Sequence, residues 1–148
     1  PKSPQNAPDI EPISFDIEEA KRLLDEAGWT LNDRGIREKD GEEFEFGFTY
    51  ATGSSISPKI AKYLKDQCAA VGIRMNEEIV DWSIYGDIQD ERDFDAITMM
   101  WSHSLPESDP YQVWHSDSSK NRGDNFAQYA NPEVDRLIEL ARETLDDQ

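Results

Sequence analysis

The sequence is poor in the residue types that build covalent cross-links and metal sites. It contains one cysteine, Cys68, and two histidines, His103 and His115, in 148 residues. A single cysteine excludes an intrachain disulfide and a cysteine-based zinc site. The two histidines are not spaced as helical i, i+4 ligands, so we predict no metal site and no cofactor. Cys68 falls among the apolar residues of a predicted helix and is interpreted as a small core residue.

Positive charge and long apolar runs are scarce as well. The 15 lysines and arginines are outnumbered by 32 aspartates and glutamates, which gives a formal net charge of −17. Such a surface repels phosphate backbones and anionic lipid, so we expect no nucleic-acid partner. No apolar run reaches the ~18 residues that a membrane-spanning helix needs. The opening residues contain no signal peptide, and the chain is interpreted as an excised piece or a processed product.

The motifs of common enzyme active sites are also missing. Gly53-Ser54-Ser55 lacks the pattern of a nucleophile elbow, and neither a glycine-rich phosphate loop nor HExxH occurs. The turn-rich segment 30–43 fails as a calcium loop, because Arg34 and Gly41 would occupy ligand positions. No nucleophile is placed beside a base, so hydrolase is the least favoured class. We predict no catalytic residues and a protein that is not an enzyme.

What the sequence does contain is an alternation of strand and helix patterns after a proline-rich lead-in, residues 1–15. Strands are predicted at 44–50, 73–80 and 94–101, and helices at 17–27, 57–71, 82–88 and 132–145. Strand, helix, strand, helix, strand is typical of a parallel sheet with crossover helices. The predicted fold class is therefore α/β, a mostly parallel sheet flanked by helices, in one domain over residues 1–148.

Several residues mark the predicted helix ends. Asp16 is predicted to cap the first helix with Glu19 as its capping-box partner, and Gly28 to end it. Ser57 and Asn131 are predicted caps of the second and last helices, each followed by proline. The predicted buried stripe of the second helix consists of Ile60, Ala61, Leu64, Cys68 and Val71. The stripe of the last helix consists of Val134, Leu137, Ile138, Ala141 and Leu145.

The predicted topology brings the carboxyl ends of three strands to one edge, where open α/β sheets bind ligands. The three exits are 51–55, 81–82 and 101–104. Trp82 and Trp101 stand at two of them and are predicted to face one crevice, although either one taken alone is better explained as core. The backbone N–H groups that open the second helix could also receive an anionic group.

Six segments, in order, resemble one protein family over nearly the whole chain. They read FDIEEAKRLLDEAGW, DRGIREKDGEEFEF, IAKYLKDQCAAVGIRM, VDWSIYGDI, RDFDAITMMW and YANPEVDRLIELAR. The chain is similar to the second, C-terminal lobe of the peptide-type (family 5) extracellular solute-binding proteins of ABC importers. The resemblance implies one lobe of a two-lobed periplasmic-binding-protein-like fold, with the N-terminal lobe of the same protein absent from this chain.

The family closes two lobes on a solute and then docks on a membrane permease, so the resemblance implies both a small solute and an ABC permease as partners. The implied location is periplasmic or extracellular, with lipoprotein anchoring left open. The implied cleft residues here are Trp82, Trp101, Ser102 and His103. In peptide-binding members an aspartate three residues after the second tryptophan pairs with the peptide's α-ammonium, and here that position is Ser104.

This departure leaves several alternatives open. Glu107 or Asp109 would replace the missing carboxylate if the loop folds back. A family member of this kind could instead carry a sugar, an opine or a metal complex. From a different class, the acidic surface could belong to a protein-interaction module that binds a basic partner, with strongly salt-dependent affinity. Import of peptides is the function that we predict first.

Overall fold

The computed structural model describes residues 11–100 and 109–144. The chain divides into two compact units, the first Pro1–Trp82 with Phe94–Met99 and the second Ser83–Asp93 with Met100–Gln148. A division by contacts does not test whether residues 1–148 form one lobe of a larger protein, and that stays a prediction. In the described ranges no helix is both long and apolar enough to cross a membrane.

The strands and helices of the parallel sheet occur in the alternating order that the sequence predicts, with further short elements before and after them. In chain order they are α1 (Ile17–Glu26), β1 (Thr30–Leu31), β2 (Arg37–Lys39), β3 (Glu42–Glu43), β4 (Glu45–Ala51), α2 (Ser57–Ala70), β5 (Arg74–Val80), α3 (Trp82–Glu91), β6 (Ala96–Ile97), α4 (Tyr111–Trp114), a 3-10 helix (Ser116–Ser119) and α5 (Pro132–Glu143).

The first unit is built on a parallel sheet of strand order β5-β4-β6. Aromatic residues alternate along β4 with Gly47 and Thr49, so one face of the strand carries Phe46, Phe48 and Tyr50. Phe48 and Tyr50 are buried with Met75 of β5 and Ala61 of α2. The predicted parallel α/β arrangement is confirmed, with α2 as the crossover between its first two strands.

The third predicted strand is much shorter than the sequence suggested. Only Ala96–Ile97 pairs with β4, although Thr98 N also donates to Thr49 O at 3.3 Å. Both strand residues are half-buried, whereas Met99 and Met100 are exposed. The strand predicted over 94–101 is therefore wrong in its extent, since within the described residues it is limited to Ala96–Ile97 and is only half-buried. Trp101 lies outside the described residues.

The first helix begins and ends much as predicted. Asp16 Oδ1 accepts from Glu19 N at 2.9 Å, but the Glu19 carboxylate binds Arg22 and does not complete a capping box. At the other end Gly28 has φ +85°, with Gly28 N donating to Asp25 O and Trp29 N to Leu24 O. This pair of bonds is a Schellman motif, which needs the positive φ that glycine adopts without strain.

The second helix ends with the same motif but begins differently from the prediction. Gly72 has φ +83°, and the amides of Gly72 and Ile73 donate to Ala69 O and Cys68 O. At its start the N-cap position is Ile56, so Ser57 is not the cap that the sequence suggested. Ile60 is partly exposed, because it lies about 100° around the helix from buried Ala61.

A small antiparallel sheet, β1-β2-β3, replaces the predicted loop over residues 30–43. Its central residue, Arg37, is 2 % exposed although it is charged. The guanidinium donates to Val71 O after α2, to Trp29 O after α1 and to the Asp25 carboxylate. Arg37 N also donates to Gly72 O at 2.7 Å. Through these hydrogen bonds the Arg37 side chain links the ends of α1 and α2 to the small sheet.

The second unit contains two short helical segments that the sequence reading missed, α4 and the 3-10 helix, followed by α5. Asn131 Oδ1 accepts from Glu133 N and Val134 N, so it caps α5 as predicted. Of the predicted apolar stripe of α5, Ile138 is buried, whereas Leu137 and Ala141 are exposed; Leu145 lies outside the described residues. Asn125 is fully buried and bonds to the backbone of His115 and Tyr129.

Candidate ligand-binding edge of the parallel sheet

The carboxyl ends of β4, β5 and β6 lie at one edge of the sheet in the first unit. The register pairs Ala51 with Val80 and Thr49 with Ile97, and Thr52 N continues the ladder by donating to Val80 O at 2.8 Å. Parallel strands in register leave the sheet on the same side, as predicted from the sequence. The chain exits there in three segments, 52–56, 81–82 and 98–99.

Trp82 is the first residue of α3 and is 66 % exposed, in contrast to Tyr85 one turn later, which is buried. An indole with that exposure is not a core residue of the described structure, so the alternative that Trp82 plugs the core is wrong. Burial raises the pKa of the Tyr85 hydroxyl, because the ionised form would lose its hydration. Within one turn the chain therefore places one aromatic ring in the interior and another at the surface beside the β5 exit.

The other two exits also present exposed apolar side chains. Ile56, after β4, is 49 % exposed, and Met99, after β6, is 36 % exposed. Exposed apolar side chains are common singly, but here one follows each of the three strands at the same edge. This arrangement is typical of a surface that is covered when a ligand or another part of a protein binds.

Asp81 is a residue at this edge that the sequence reading did not select. It comes directly after β5, and its Oδ1 atom accepts from Thr52 Oγ1 at 3.3 Å. No other acidic residue occurs in the three described exit segments, 52–56, 81–82 and 98–99, and no lysine or arginine occurs there either. The signal that could have found it was its position next to Trp82 at a strand end.

The start of α2 is closed by a serine side chain. Ser54 Oγ accepts from Ser57 N at 3.0 Å and from Ile56 N at 3.3 Å, and the Ser57 hydroxyl also donates to it at 2.8 Å. These bonds occupy two of the backbone N–H groups that the sequence reading offered to an anionic group. The helix start is therefore partly satisfied from within the chain.

The remaining predicted site residues, Trp101, Ser102, His103 and Ser104, lie outside the described residues, as does Glu107. Asp109 is described and belongs to the second unit. Its Oδ1 accepts from Tyr111 N at 3.0 Å and its Oδ2 pairs with Arg142 Nε at 3.2 Å. The Arg142 guanidinium also lies 4.4 Å from the centre of the Tyr111 ring. The Asp109 carboxylate is therefore already engaged at the start of α4.

His115, in the second unit, is 4 % exposed and is held by three contacts. Its ring stacks on Tyr111 at 4.1 Å, Nδ1 accepts from Asp117 N at 3.1 Å, and Nε2 lies 3.3 Å from Glu139 Oε1. Across the described ranges no group of three or more His, Cys, Asp or Glu side chains is arranged to hold a metal ion. His115 thus has a structural place, capping the 3-10 helix and packing between α4 and α5.

Cys68 is half-buried and packs against the core cluster of the first unit. Burial raises the pKa of its thiol, which disfavours the reactive thiolate. The prediction that Cys68 is a small packing residue agrees with both observations.

Comparison with known proteins gives the family. Residues 1–123 match the model of the bacterial extracellular solute-binding proteins, family 5 Middle. The chain belongs to that family. It is 34 % identical over 142 residues to the oligopeptide-binding protein AppA of Bacillus subtilis, covering 93 % of this chain. It spans only 26 % of AppA, so its match is to about a quarter of that relative's length.

Several solved structures share the fold of this chain. The AppA structure, in complex with a nonapeptide, has a TM-score of 0.83 and covers 97 % of this chain and 29 % of AppA. NikZ of Campylobacter jejuni, in complex with Ni(L-His), also has a TM-score of 0.83, at 25 % identity, with coverage of 95 % and 29 %. An oligopeptide ABC transporter binding protein of Thermotoga maritima with bound mannohexaose has a TM-score of 0.78, at 26 % identity, with coverage of 90 % and 26 %. The periplasmic-binding-protein-like fold predicted for the chain is confirmed.

Proposed function

We propose that this chain forms one wall of the solute cleft in a binding protein that delivers peptides to an ABC importer. The observation that carries the proposal is the exposed indole of Trp82 at the carboxyl edge of a parallel sheet. Membership in the family and similarity to a protein named as oligopeptide-binding support the peptide as the solute class. The partners are then the peptide, the N-terminal lobe of the same protein and the permease of the importer.

The physical role of such a wall is to complete a site that another lobe begins. Each lobe offers part of the contact surface, and closure removes water from both parts at once. Binding and release change no covalent bond, so the function needs no catalytic residue and no resident cofactor. The protein acts outside the cytoplasmic membrane, in the periplasm or extracellular space, where the solute is captured.

The proposed ligand contacts are Trp82 together with Trp101, Ser102, His103 and Ser104. Trp82 offers a flat apolar face that stacks on side chains or on peptide planes. The hydroxyls of Ser102 and Ser104 donate and accept hydrogen bonds with a peptide main chain. The imidazole of His103 can either donate or accept a hydrogen bond. These groups suit a ligand that combines apolar side chains with a regular polar backbone.

A second solute class is favoured by a specific observation. NikZ, solved with Ni(L-His), matches this chain with the same TM-score as AppA, and the Thermotoga protein was solved with mannohexaose. The fold therefore supports a metal complex or an oligosaccharide as alternative cargo. In that case the indole of Trp82 would stack on a sugar ring or on a chelating side chain in place of a peptide.

A ligand screen separates these classes. The full-length protein containing this chain is heated with di- to nonapeptides, with manno-oligosaccharides or with nickel–histidine complexes, and its unfolding is followed by calorimetry. A true ligand at ~100 times its Kd adds about 2.7 kcal/mol to the stability, which raises the melting temperature. Stabilisation by peptides alone supports the proposal. Stabilisation by sugars or nickel complexes alone contradicts it, as does salt-dependent binding of a basic protein without any small-molecule effect.

Truncation of the exposed indole tests the wall itself. We expect Trp82→Ala in the full-length protein to weaken binding of the stabilising peptide by at least about fivefold, or about 1 kcal/mol, because a stacked aromatic contact is lost. Isothermal titration calorimetry measures the change. The matched control is Trp114→Ala, which removes another half-exposed indole, in the second unit. Equal affinity of the wild type and Trp82→Ala would show that Trp82 does not contact the ligand.

A further inference from the structure

Besides the candidate ligand-binding edge, the first unit has an apolar groove at the opposite edge of its parallel sheet. Because α2 follows the exit of β4 and leads into the start of β5, its last residues lie at the amino ends of these strands. The groove, of about 460 Å³, opens there between Cys68 and Val71 at the end of α2 and α1 with the segment before it. It is therefore separate from the strand exits where the solute is proposed to bind.

Helix α1 leaves its apolar stripe incompletely covered. Ile17, Ala20 and Leu24 are only half-buried, Leu23 is 52 % exposed, and none of the ten residues of α1 is buried. An amphipathic helix in a protein gains most of its stability by packing such a stripe against another element. The two ends of α1 are satisfied by the N-cap and the Schellman motif described above, so apolar packing is the contribution that the helix lacks.

The segment before α1 adds two more apolar side chains to the groove. Ile13 is fully exposed and Phe15 is 70 % exposed, and both line the groove together with Leu23. Phe15 precedes the N-cap, where a hydrophobic staple with Ala20 would be its local role, but a ring exposed to this extent keeps most of its surface in water. Large apolar side chains that cluster at one groove mark a surface that another polypeptide segment covers.

Two observations indicate what covers the groove. This chain spans 26 % of AppA, so a protein of that length carries most of its polypeptide elsewhere. A segment joined covalently to this chain is present at an effective concentration of about millimolar, which favours it over a free partner. The charged residues of the groove lining, Asp16 and Glu19, are both acidic, which disfavours an acidic segment and an anionic lipid surface.

We propose that this groove is an internal docking site, covered in the full-length protein by an apolar, non-acidic segment of the same polypeptide from outside residues 1–148. The segment completes the packing of α1, so the first unit reaches its full stability only when that segment is in place. The inference rests on the exposed face of α1 and on the family of the chain. It does not depend on which solute the protein carries.

Cysteine labelling of the full-length protein tests the proposal. Leu23→Cys puts a thiol in the groove, and Ser14→Cys does so with almost no change of side-chain shape. The matched control is Glu18→Cys, at an 82 % exposed side chain about 140° around the same helix from Leu23. All three are made in a background without other cysteines, including Cys68→Ser, and each maleimide labelling rate is divided by the rate in urea.

We expect the two groove thiols to react at least about tenfold more slowly than the control thiol, because the covering segment excludes the reagent until it detaches. Equal rates at all three positions overturn the proposal. Protection that is lost on dilution also overturns it, because a second copy of the protein would then be the cover. Protection that appears only after lipid vesicles or the permease are added overturns it as well.

The labelling result and the ligand screen fail independently. Peptide binding by a protein whose groove thiols are unprotected overturns the docking site alone. Protected groove thiols in a protein that binds no peptide support the docking site and overturn the proposed solute class alone.

Discussion

The two compact units of the chain bury different chemistry. In the first, the buried residues around the parallel sheet are mainly apolar, with Phe48, Tyr50, Met75 and Ala61 in one cluster. In the second, two of the four described buried residues are polar, and they are Asn125 and His115 beside Tyr85 and Ile138. An apolar cluster stabilises the fold because it removes apolar surface from water. The buried polar network of Asn125 and His115 stabilises it only while every hydrogen-bond donor and acceptor keeps its partner.

This difference also explains why the sequence predicted the β4 strand of the first unit but not the buried place of Asn125 in the second. Alternation of aromatic residues in β4 is a direct sign of a strand, because its buried face must be apolar. Asn125 gives no such sign, since its burial depends on the carbonyls of His115 and Tyr129 coming within reach. Polar groups that are buried by partners distant in sequence are not visible in a hydrophobic pattern.

The largest expected effect comes from the apolar cluster. We expect Phe48→Ala to lower the free energy of unfolding of the first unit by about 3–5 kcal/mol, because the truncation leaves a cavity against Ala61 and Met75. Urea unfolding followed by hydrogen exchange of the β4 amides measures it. Phe15→Ala, the same truncation at an exposed residue, is the control and should stay within about 0.5 kcal/mol. A loss below that of the control would show that the sheet does not depend on this cluster.

A smaller but substantial loss of unfolding free energy is expected when the buried polar network of the second unit is disrupted. Asn125→Ala removes three hydrogen bonds, two to the carbonyls of His115 and Tyr129 and one from Tyr129 N. Leaving these buried groups unpaired should cost about 2–3 kcal/mol of unfolding free energy, seen by hydrogen exchange in the second unit. Asn76→Ala, at an exposed strand position, is the surface control. A loss of unfolding free energy for Asn125→Ala as small as that of this control would mean that water replaces the amide. The buried polar network would then not be the stabilising feature of the second unit.

The smallest expected effect is on the pH dependence of stability, and it concerns a carboxyl group of the second unit, Asp135. The hydroxyl of Ser116, and then its backbone N–H, lower the pKa of Asp135 below its usual value. A carboxyl with a lowered folded pKa adds stability above its unfolded pKa, and this contribution is lost as the pH falls through the folded value. Ser116→Ala should therefore make the second unit less sensitive to acid between these two values. Melting temperatures from pH 2 to 6 measure this, with Asp135→Asn as the variant that removes the titration altogether; an unchanged acid sensitivity in both would contradict the assignment.

The candidate site shows the same division between what a sequence reveals and what it conceals. Its place at the strand exits follows from the alternation of elements, and Trp82 was found in this way. Asp81 was placed at the exit of the second strand but was not selected as a site residue, because an aspartate before a helix is common. Asp81 is the one charged residue of the described exit segments 52–56, 81–82 and 98–99. That observation requires the strands to be placed side by side, which the sequence pattern alone does not do.

Arg37 has a consequence for how the first unit reaches its folded state. Its acceptors stand 8, 12, 16 and 34 positions away along the chain, at Trp29, Asp25, Lys21 and Val71. Until both helices have terminated, the guanidinium has no set of partners, and burying it alone would be costly. We therefore expect the Arg37 side chain to stay hydrated until late in folding. The strand β2 would then reach its final position only after the ends of α1 and α2 have come together.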